Sequence, residues 1–361
     1  MQVNYLKRQA EFKALLEQQG YSAMLVLGHE NIRYLSGFSG NAAYALITQD
    51  ACVLITDYRY HQRAIAETTG FEVVCRDRDN ETLGHCINRH LNPNSHVAFD
   101  ASYVTVAIWQ GVADELTGHT LTAVNGLIEK LRRVKDNWEV AQIKAAAAIA
   151  DEALAQTLPY FKPGVTERDL ALELEFRMQK LGSEGMSFAT IMLFAERSAL
   201  PHGNPSDQVL KQGDFVTLDF GAVVNGYRSD MTRSYIIGEA SEKQTRIYNT
   251  VLDAQNAALE MVKSGVNCLD LNAISNKVIA EAGFGEYAGK GLGHGLGLFL
   301  HEVPFINTLT DYNLEVGNVI TIEPGIYIPG YGGVRLEDDI VVTESGFEVL
   351  THAPKPFIIY C

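Results

Sequence analysis

The chain has 361 residues, 47% hydrophobic and 20% charged, an ordinary globular composition that is long enough for two or three domains with their own cores. Lys plus Arg number 29 and Asp plus Glu 44, a formal net charge of −15. That balance argues against nucleic acid or an anionic membrane as partner and leaves spare carboxylates, the oxygen ligands that divalent cations prefer.

The opening segment, Met1-Gln2-Val3-Asn4-Tyr5, is polar and lacks the charged-then-apolar pattern of a signal peptide. No run reaches the ~18 apolar residues of a membrane helix. Residues 5–19 have helical apolar spacing through Leu6, Phe12, Leu15 and Leu16, and stop at Gly20. Apolar runs at 23–27, 43–47 and 52–56 read as strands. A helix from Tyr58, a strand at 71–74, a helix over 81–91, a strand at 97–99 and a helix over 104–116 follow. This alternation predicts an α/β layer structure of about 125 residues, with no phosphate-loop or metal-site spacing in it. Cys52, Cys75, Cys86, Cys268 and Cys361 are scattered and lack paired spacing. They read as small buried hydrophobes in a cytoplasmic protein with reduced thiols.

The charged segment Glu129-Lys130-Leu131-Arg132-Arg133-Val134-Lys135-Asp136 marks a boundary, which gives domains over 1–127 and 128–361. A helix-helix-hairpin pattern then occurs twice. In the first copy Asp136 with Glu139 has the spacing of a helix cap, ahead of a long Ala-rich helix. Thr166 with Asp169 caps a second helix, which carries Leu170, Leu174, Met178 and Leu181 on one face. Strands fall at 215–222 and 227–237. In the second copy Ser241 with Gln244 and Asn267 with Asp270 cap two helices, and strands fall at 319–327 and 334–342. The order of elements repeats while the residues do not, which predicts helices outside a curved antiparallel sheet.

Asn225-Gly226 is a strong hairpin turn signal. With these as the two turn residues, Val224 faces Tyr227 and Asp230 faces Gly221. Asp219 and Asp230 then become diagonal cross-strand neighbours, roughly 7–8 Å apart at the backbone. Two anions on an apolar face repel unless a cation lies between them; two solvent-facing aspartates are the plainer alternative. In the second hairpin a register centred on Gly330 places Glu323 opposite Glu337, with Glu323 among Val319, Ile320, Ile322 and Ile326.

The run Gly291-Leu292-Gly293-His294-Gly295-Leu296-Gly297 does not fit a dinucleotide loop. It reads as backbone that must approach an ion or substrate closely, with His294 as a ligand. Four carboxylates and one imidazole suit two divalent ions such as Mn²⁺ or Co²⁺. Two such ions can share a hydroxide and polarise a carbonyl, so the chemistry implied is hydrolysis. His202 and His301 then fall to stabilising the tetrahedral intermediate or moving a proton.

Together Leu218-Asp219-Phe220-Gly221, Ser229-Asp230-Met231-Thr232-Arg233, Gly293-His294-Gly295, Ile322-Glu323-Pro324-Gly325 and Val334-Arg335-Leu336-Glu337 resemble the motifs of the pita-bread metallopeptidases. Within these the chain resembles the Xaa-Pro peptidase branch, aminopeptidase P and prolidase. Asn31-Ile32-Arg33-Tyr34-Leu35-Ser36-Gly37-Phe38-Ser39-Gly40 and Asp57-Tyr58-Arg59-Tyr60 resemble that branch's N-terminal domain, so the likeness covers nearly the whole chain. It implies an α+β fold: a C-terminal pita-bread (creatinase/aminopeptidase) domain with duplicated helix-helix-hairpin units, preceded by a smaller α/β creatinase-like domain.

The same resemblance implies that Asp219 binds one metal in a bidentate way, that Asp230 and Glu337 bridge both, and that His294 binds the other. Glu323 is implied as ligand and general base for a bridging hydroxide. His202 and His301 match the branch's substrate-facing histidines, and Arg335 an arginine near the metals. The expected cofactors are two Mn²⁺ per chain, with Co²⁺ or Zn²⁺ as alternatives. The expected partners are peptides with proline at the second position and a second copy of the chain, as a homodimer. The leading reading is an aminopeptidase P-like enzyme that cleaves the Xaa-Pro bond at the N-terminus of peptides; the alternative is a prolidase restricted to dipeptides. A non-catalytic binding protein of this fold would show lost ligands or a basic extension, and neither is seen.

Three stretches depart from the family's pattern. Lys290 and Leu292 stand where a His and a Thr are usual, which puts a cation near the expected metals. Phe194-Ala195 replaces a Ser-Gly, removing a flexible residue, and Leu298-Phe299-Leu300-His301 is more apolar than the usual Glu-Val-His.

Overall fold

The apolar runs of the first third pair into one mixed sheet. The computed structural model describes residues 3–360, and the chain divides into two compact units, Met1–Arg132 and Arg133–Cys361. The first unit holds strands β1 (Ala23–Val26), β2 (Tyr44–Thr48), β3 (Cys52–Thr56), β4 (Glu72–Cys75), β5 (His96–Asp100) and β6 (Thr120–Val124), in the order β4-β3-β2-β1-β5-β6. Strand β1 lies inside the sheet and is buried along its length, which is why it reads as a continuous apolar run and not as an alternation. Pairs β1–β2 and β2–β3 are antiparallel, and the others are parallel.

Helices α1 (Tyr5–Gln18), α2 (His29–Ser36), α3 (His61–Glu67), α4 (Leu83–Asn88), α5 (Val106–Ala113) and α6 (Leu127–Arg132) complete the first unit. The helix expected from Tyr58 starts at His61, and the one expected over 81–91 is only six residues long. Elements α2, β6 and α6 have no counterpart in the expected set. The two helices have eight and six residues and β6 is a half-exposed edge strand, so none sustains a hydrophobic period.

The second unit holds helices α7 (Asn137–Thr157), α8 (Glu167–Lys180), α9 (Glu242–Met261) and α10 (Cys268–Glu281). Asp136 with Glu139, Thr166 with Asp169 and Ser241 with Gln244 form reciprocal capping boxes. Asn267 differs: its side chain accepts from the Leu269 N–H, and Asp270 closes no box. Leu170, Leu174 and Met178 are buried, but Leu181 caps the end of α8 and is 36% exposed, because the helix stops before that position reaches the core.

The strands of this unit are β7 (Ile191–Phe194), β8 (Phe215–Phe220), β9 (Val223–Val224), β10 (Tyr227–Arg228), β11 (Met231–Ile237), β12 (Gly291–Gly295), β13 (Glu302–Asn307), β14 (Val319–Ile322), β15 (Gly325–Ile328), β16 (Gly332–Arg335), β17 (Asp338–Val342), β18 (Phe347–Val349) and β19 (Ile358–Ile359). They form sheets β19-β11-β8-β7 and β13-β12-β14-β17-β18, with β9–β10 and β15–β16 as separate ribbons. Helices α7 and α8 pack on the first sheet through Ala150, Leu174, Leu218 and Met231. Helices α9 and α10 cover the second through Ala258, Leu271, Ile320 and Ile340.

Both expected registers hold, and both ladders break where the acidic residues lie. Val224 pairs with Tyr227, and Met231 pairs with Phe220 in the same register beyond a gap at Gly221-Ala222 and Ser229-Asp230. Ile328 pairs with Gly332, and Ile322 with Asp338, across a gap at Glu323-Pro324 and Leu336-Glu337. The strands expected at 227–237, 319–327 and 334–342 are therefore each two, and the one expected at 215–222 ends at Phe220, with β9 beyond the break. A Cβ on Gly221 would stand 1.8 Å from the Ser229 carbonyl oxygen, so only glycine fits that close crossing.

Three cysteines, Cys52, Cys86 and Cys268, are buried as expected, whereas Cys75 is exposed because it ends edge strand β4. The expectation for Cys361 lies outside the described residues. No helix among the described residues is long and apolar enough to cross a membrane.

Ala195, at the Phe194-Ala195 departure, has φ +50°, the left-handed region that disfavours a Cβ. Glycine is unstrained there but loses more freedom on folding. Ala195→Gly is expected to raise the unfolding free energy by about 0.5–1 kcal/mol, read from the denaturant midpoint. A lower midpoint at an unchanged slope would refute this.

Candidate metal centre

Each site carboxylate sits at or next to a ladder break, where the strands part. Asp219 is the penultimate residue of β8, Asp230 precedes β11, Glu323 follows β14 and Glu337 precedes β17. His294 lies within β12 and Arg335 ends β16. Ligand atoms of Asp230, His294 and Glu337 all lie within 4.8 Å of one another, and the three residues are buried. His294 Nε2 is 3.7 Å from Asp230 Oδ2 and 3.3 Å from Glu323 Oε1. Asp219 lies outside that trio; its Oδ2 accepts from Arg335 at 2.6 Å.

The protonation pattern asks for a cation. His294 Nδ1 is 3.0 Å from the Gly295 carbonyl, a bond in which only the nitrogen can donate. With Asp230 and Glu323 ionised, the neutral ring turns a lone pair at Nε2 toward two carboxylates, acceptor against acceptor. Burial lowers the His294 pKa, which favours that neutral form. Asp219 Oδ1 and Glu337 Oε1 are buried and have no hydrogen-bond partner among the described residues. Four carboxylates meet one guanidinium in direct contact, an excess of three negative charges. Oxygen-rich donors with one imidazole and unspent lone pairs fit divalent metal ions.

Without cations the carboxylates hold protons against this repulsion. Desolvation, with Glu337 and Asp219 nearby, pushes Asp230 well above the ordinary carboxylate range. Desolvation and Glu323 do the same to Glu337, and desolvation carries Glu323 up to about 7, with Asp219 adding to it. Acids whose pKa is higher folded than unfolded bind more protons in the folded state, so stability falls as pH rises from ~4 toward 7. The melting temperature of chelator-treated protein is therefore expected to drop from pH 5 to pH 7 relative to metal-loaded protein. A gap between the two that does not widen with pH would refute a cluster of uncompensated carboxylates.

The centre opens into a cavity of about 900 Å³. His202 and His301 line it and are exposed; the rings of His301 and His294 meet edge to face at 4.4 Å. Arg335 is buried, and besides Asp219 it donates to Tyr327 Oη and Thr232 Oγ1. Lys290 also lines the cavity, on its exposed edge, and makes no ion pair among the described residues. Phe188, Ile191, Leu300 and Phe305 supply apolar walls.

Gly291 and Gly293 of the glycine run line the cavity, and the run also has a packing role. A Cβ on Gly293 would stand 2.1 Å from the Thr321 carbonyl oxygen, so this glycine lets β12 press on β14.

Sequence reasoning missed the residues that hold the carboxylates in place. Thr232 Oγ1 donates to Glu337 at 2.6 Å, Thr321 Oγ1 donates to Glu323 at 3.0 Å, and Asp339 accepts from the Asp230 N–H at 2.8 Å. Thr321 stands two residues from its partner Glu323, and that spacing was the available signal, whereas the partner of Thr232 lies 105 positions away.

Residues 141–344, which include every one of these groups, match the family model described as Metallopeptidase family M24, and residues 8–134 match the Creatinase/Prolidase N-terminal domain. The Bacillus subtilis peptidase YqhT is 38% identical over 97% of this chain and 99% of its own. A Bacillus anthracis structure described as an Xaa-Pro dipeptidase superposes with TM-score 0.94 at 37% identity, covering 99% of this chain and 100% of that one. An X-Pro aminopeptidase structure from Thermotoga maritima gives 0.90 at 35% identity, over 97% and 99%. With motifs, fold and whole-length relatives in agreement, the chain belongs to metallopeptidase family M24.

Proposed function

We propose that the chain hydrolyses the Xaa-Pro bond at the N-terminus of peptides, as an aminopeptidase P-like enzyme with two divalent ions per chain, manganese first. The observation that carries it is the convergence of Asp230, His294 and Glu337, with Glu323 and Asp219 adjoining, on the floor of a cavity with apolar walls. Asp219, Asp230, His294, Glu323 and Glu337 would hold the ions. When bound, such ions polarise a carbonyl and make a nucleophile from water at neutral pH.

The chain's own groups supply the rest. Glu323, fixed by Thr321, takes and returns a proton at its carboxylate. His202 and His301, on the open side, donate to the oxygen of the tetrahedral intermediate. Arg335 holds Asp219 in place. In this reading residues 128–361 are the catalytic domain and residues 1–127 a separate domain that serves dimerisation, in a cytoplasmic homodimer. The family match over residues 8–134 supports the N-terminal domain's kinship.

The test is a panel of Xaa-Pro and Xaa-Ala peptides of two to five residues, with Mn²⁺, Co²⁺ or Zn²⁺ added to stripped protein. Selective cleavage before proline is expected, and equal cleavage before alanine would reject the reading. A cavity of about 900 Å³ is at the large end for a ligand site and favours peptides longer than two residues.

A dipeptidase is the second reading, favoured by Lys290, an ammonium on the cavity wall that makes no ion pair among the described residues. A dipeptide's C-terminal carboxylate would meet that need. If it does, Lys290→His should raise KM for an Xaa-Pro dipeptide selectively. An equal change on a dipeptide and a tripeptide would leave Lys290 without that role and keep the aminopeptidase reading.

A further inference from the structure

The first unit has a cavity of its own, about 370 Å³. Its wall carries Arg59, Arg76 and Arg78 but only one carboxylate, Asp57, an excess of two positive charges in a chain of net charge −15. The arginines are not equally engaged. Arg59 takes both oxygens of Asp57, with bonds of 2.9 and 2.7 Å. That pair is closed: hydrogen bonding from Arg59 holds the Asp57 pKa down at about 2.

Arg78 reaches Asp57 only at 3.5 Å, beyond a normal hydrogen bond. Arg76 donates to the backbone carbonyl of Glu81 and has no carboxylate partner among the described residues. Two guanidinium groups therefore retain unused N–H donors toward the same space. A guanidinium presents a planar fork matched to carboxylate and phosphate oxygens.

The same cavity is lined by His29, the first residue of α2. Opposite polarity comes from Leu27, Ile55 and Ile108, which would face an apolar body.

We propose that this cavity binds a small dianion, a phosphate monoester or a dicarboxylate, with Arg76 and Arg78 gripping the charged end and Arg59 braced by Asp57 beside them. The proposal is independent of the peptidase reading, since every residue it uses lies in the first unit.

The test is calorimetric titration of the full-length protein with sodium phosphate and with sodium succinate, at one ionic strength set by sodium chloride. Saturable binding of at least one dianion is expected. Phosphate alone would identify the phosphate source, and succinate alone the dicarboxylate. The variant Arg76→Gln/Arg78→Gln should weaken binding by at least ~10-fold, the scale of losing charge-assisted donors. Arg78→Gln alone, at an exposed position with one long ion pair, should weaken it ~3–10-fold and serves if the double variant loses its fold. No saturable heat with either anion overturns the proposal. Equal affinity in wild type and variants also overturns it, because the ion would then sit elsewhere, the candidate metal centre included.

Discussion

Replacing Asp230 with Ala is expected to remove nearly all activity, by a factor of roughly 10³ or more, together with one or both metal ions. Asp230 is buried, shares a 4.8 Å cluster with His294 and Glu337, and is placed by its own N–H on Asp339. Metal-derived stabilisation of a transition state is worth several kcal/mol. The fold should survive. The metal-free variant should even melt above the metal-free wild type, because one of four mutually repelling acids is gone. Elemental analysis, peptide assay and thermal denaturation with and without metal check all three effects. Full occupancy with full activity would sink the assignment of Asp230.

The second large effect is expected at His301. His301→Ala should leave the metals bound and lower kcat by ~10²–10³, the usual cost of one lost donor to a developing oxyanion. Its side chain is exposed toward the cavity, and its ring meets that of His294 edge to face at 4.4 Å. Partial burial, with His294 and His202 nearby, lowers its pKa, which favours the neutral form that the proposed role needs. The loop that carries it is held separately. Glu302 accepts from the Phe299 N–H at 2.8 Å and, in a buried ion pair, from Lys135 at 3.1 Å. Loss of the imidazole should therefore change stability little. A variant that loses metal but keeps its turnover per bound ion would show His301 to be a ligand.

Much of this was legible because hairpin geometry is local. Asn225-Gly226 and the turn around Gly330 each set a register, and the register places acidic residues across from one another hundreds of atoms before any tertiary contact is known. The capping boxes at Asp136, Thr166 and Ser241 were legible for the same reason, since three residues suffice to state them. What stayed hidden depends on neighbours far along the chain. The ladder breaks arise where strands leave one partner for another, and Gly293 is shaped by Thr321, which no local pattern announces. Thr232 matters because Glu337, 105 positions away, needs a donor. In the first unit, α2 and α6 are too short to display a period, so only the sheet they support reveals them.

The crowded carboxylates have a consequence for the protein's lifetime. A ligand that binds only the folded state adds stability in proportion to the logarithm of its free concentration. Here the ion also relieves a repulsion that the empty fold must bear, so the two effects act in the same direction. Proteolysis tracks the open population wherever opening is faster than cleavage. A cell short of divalent metal would thus lose this chain by degradation as well as by idling, and its abundance would report metal supply with no dedicated sensor.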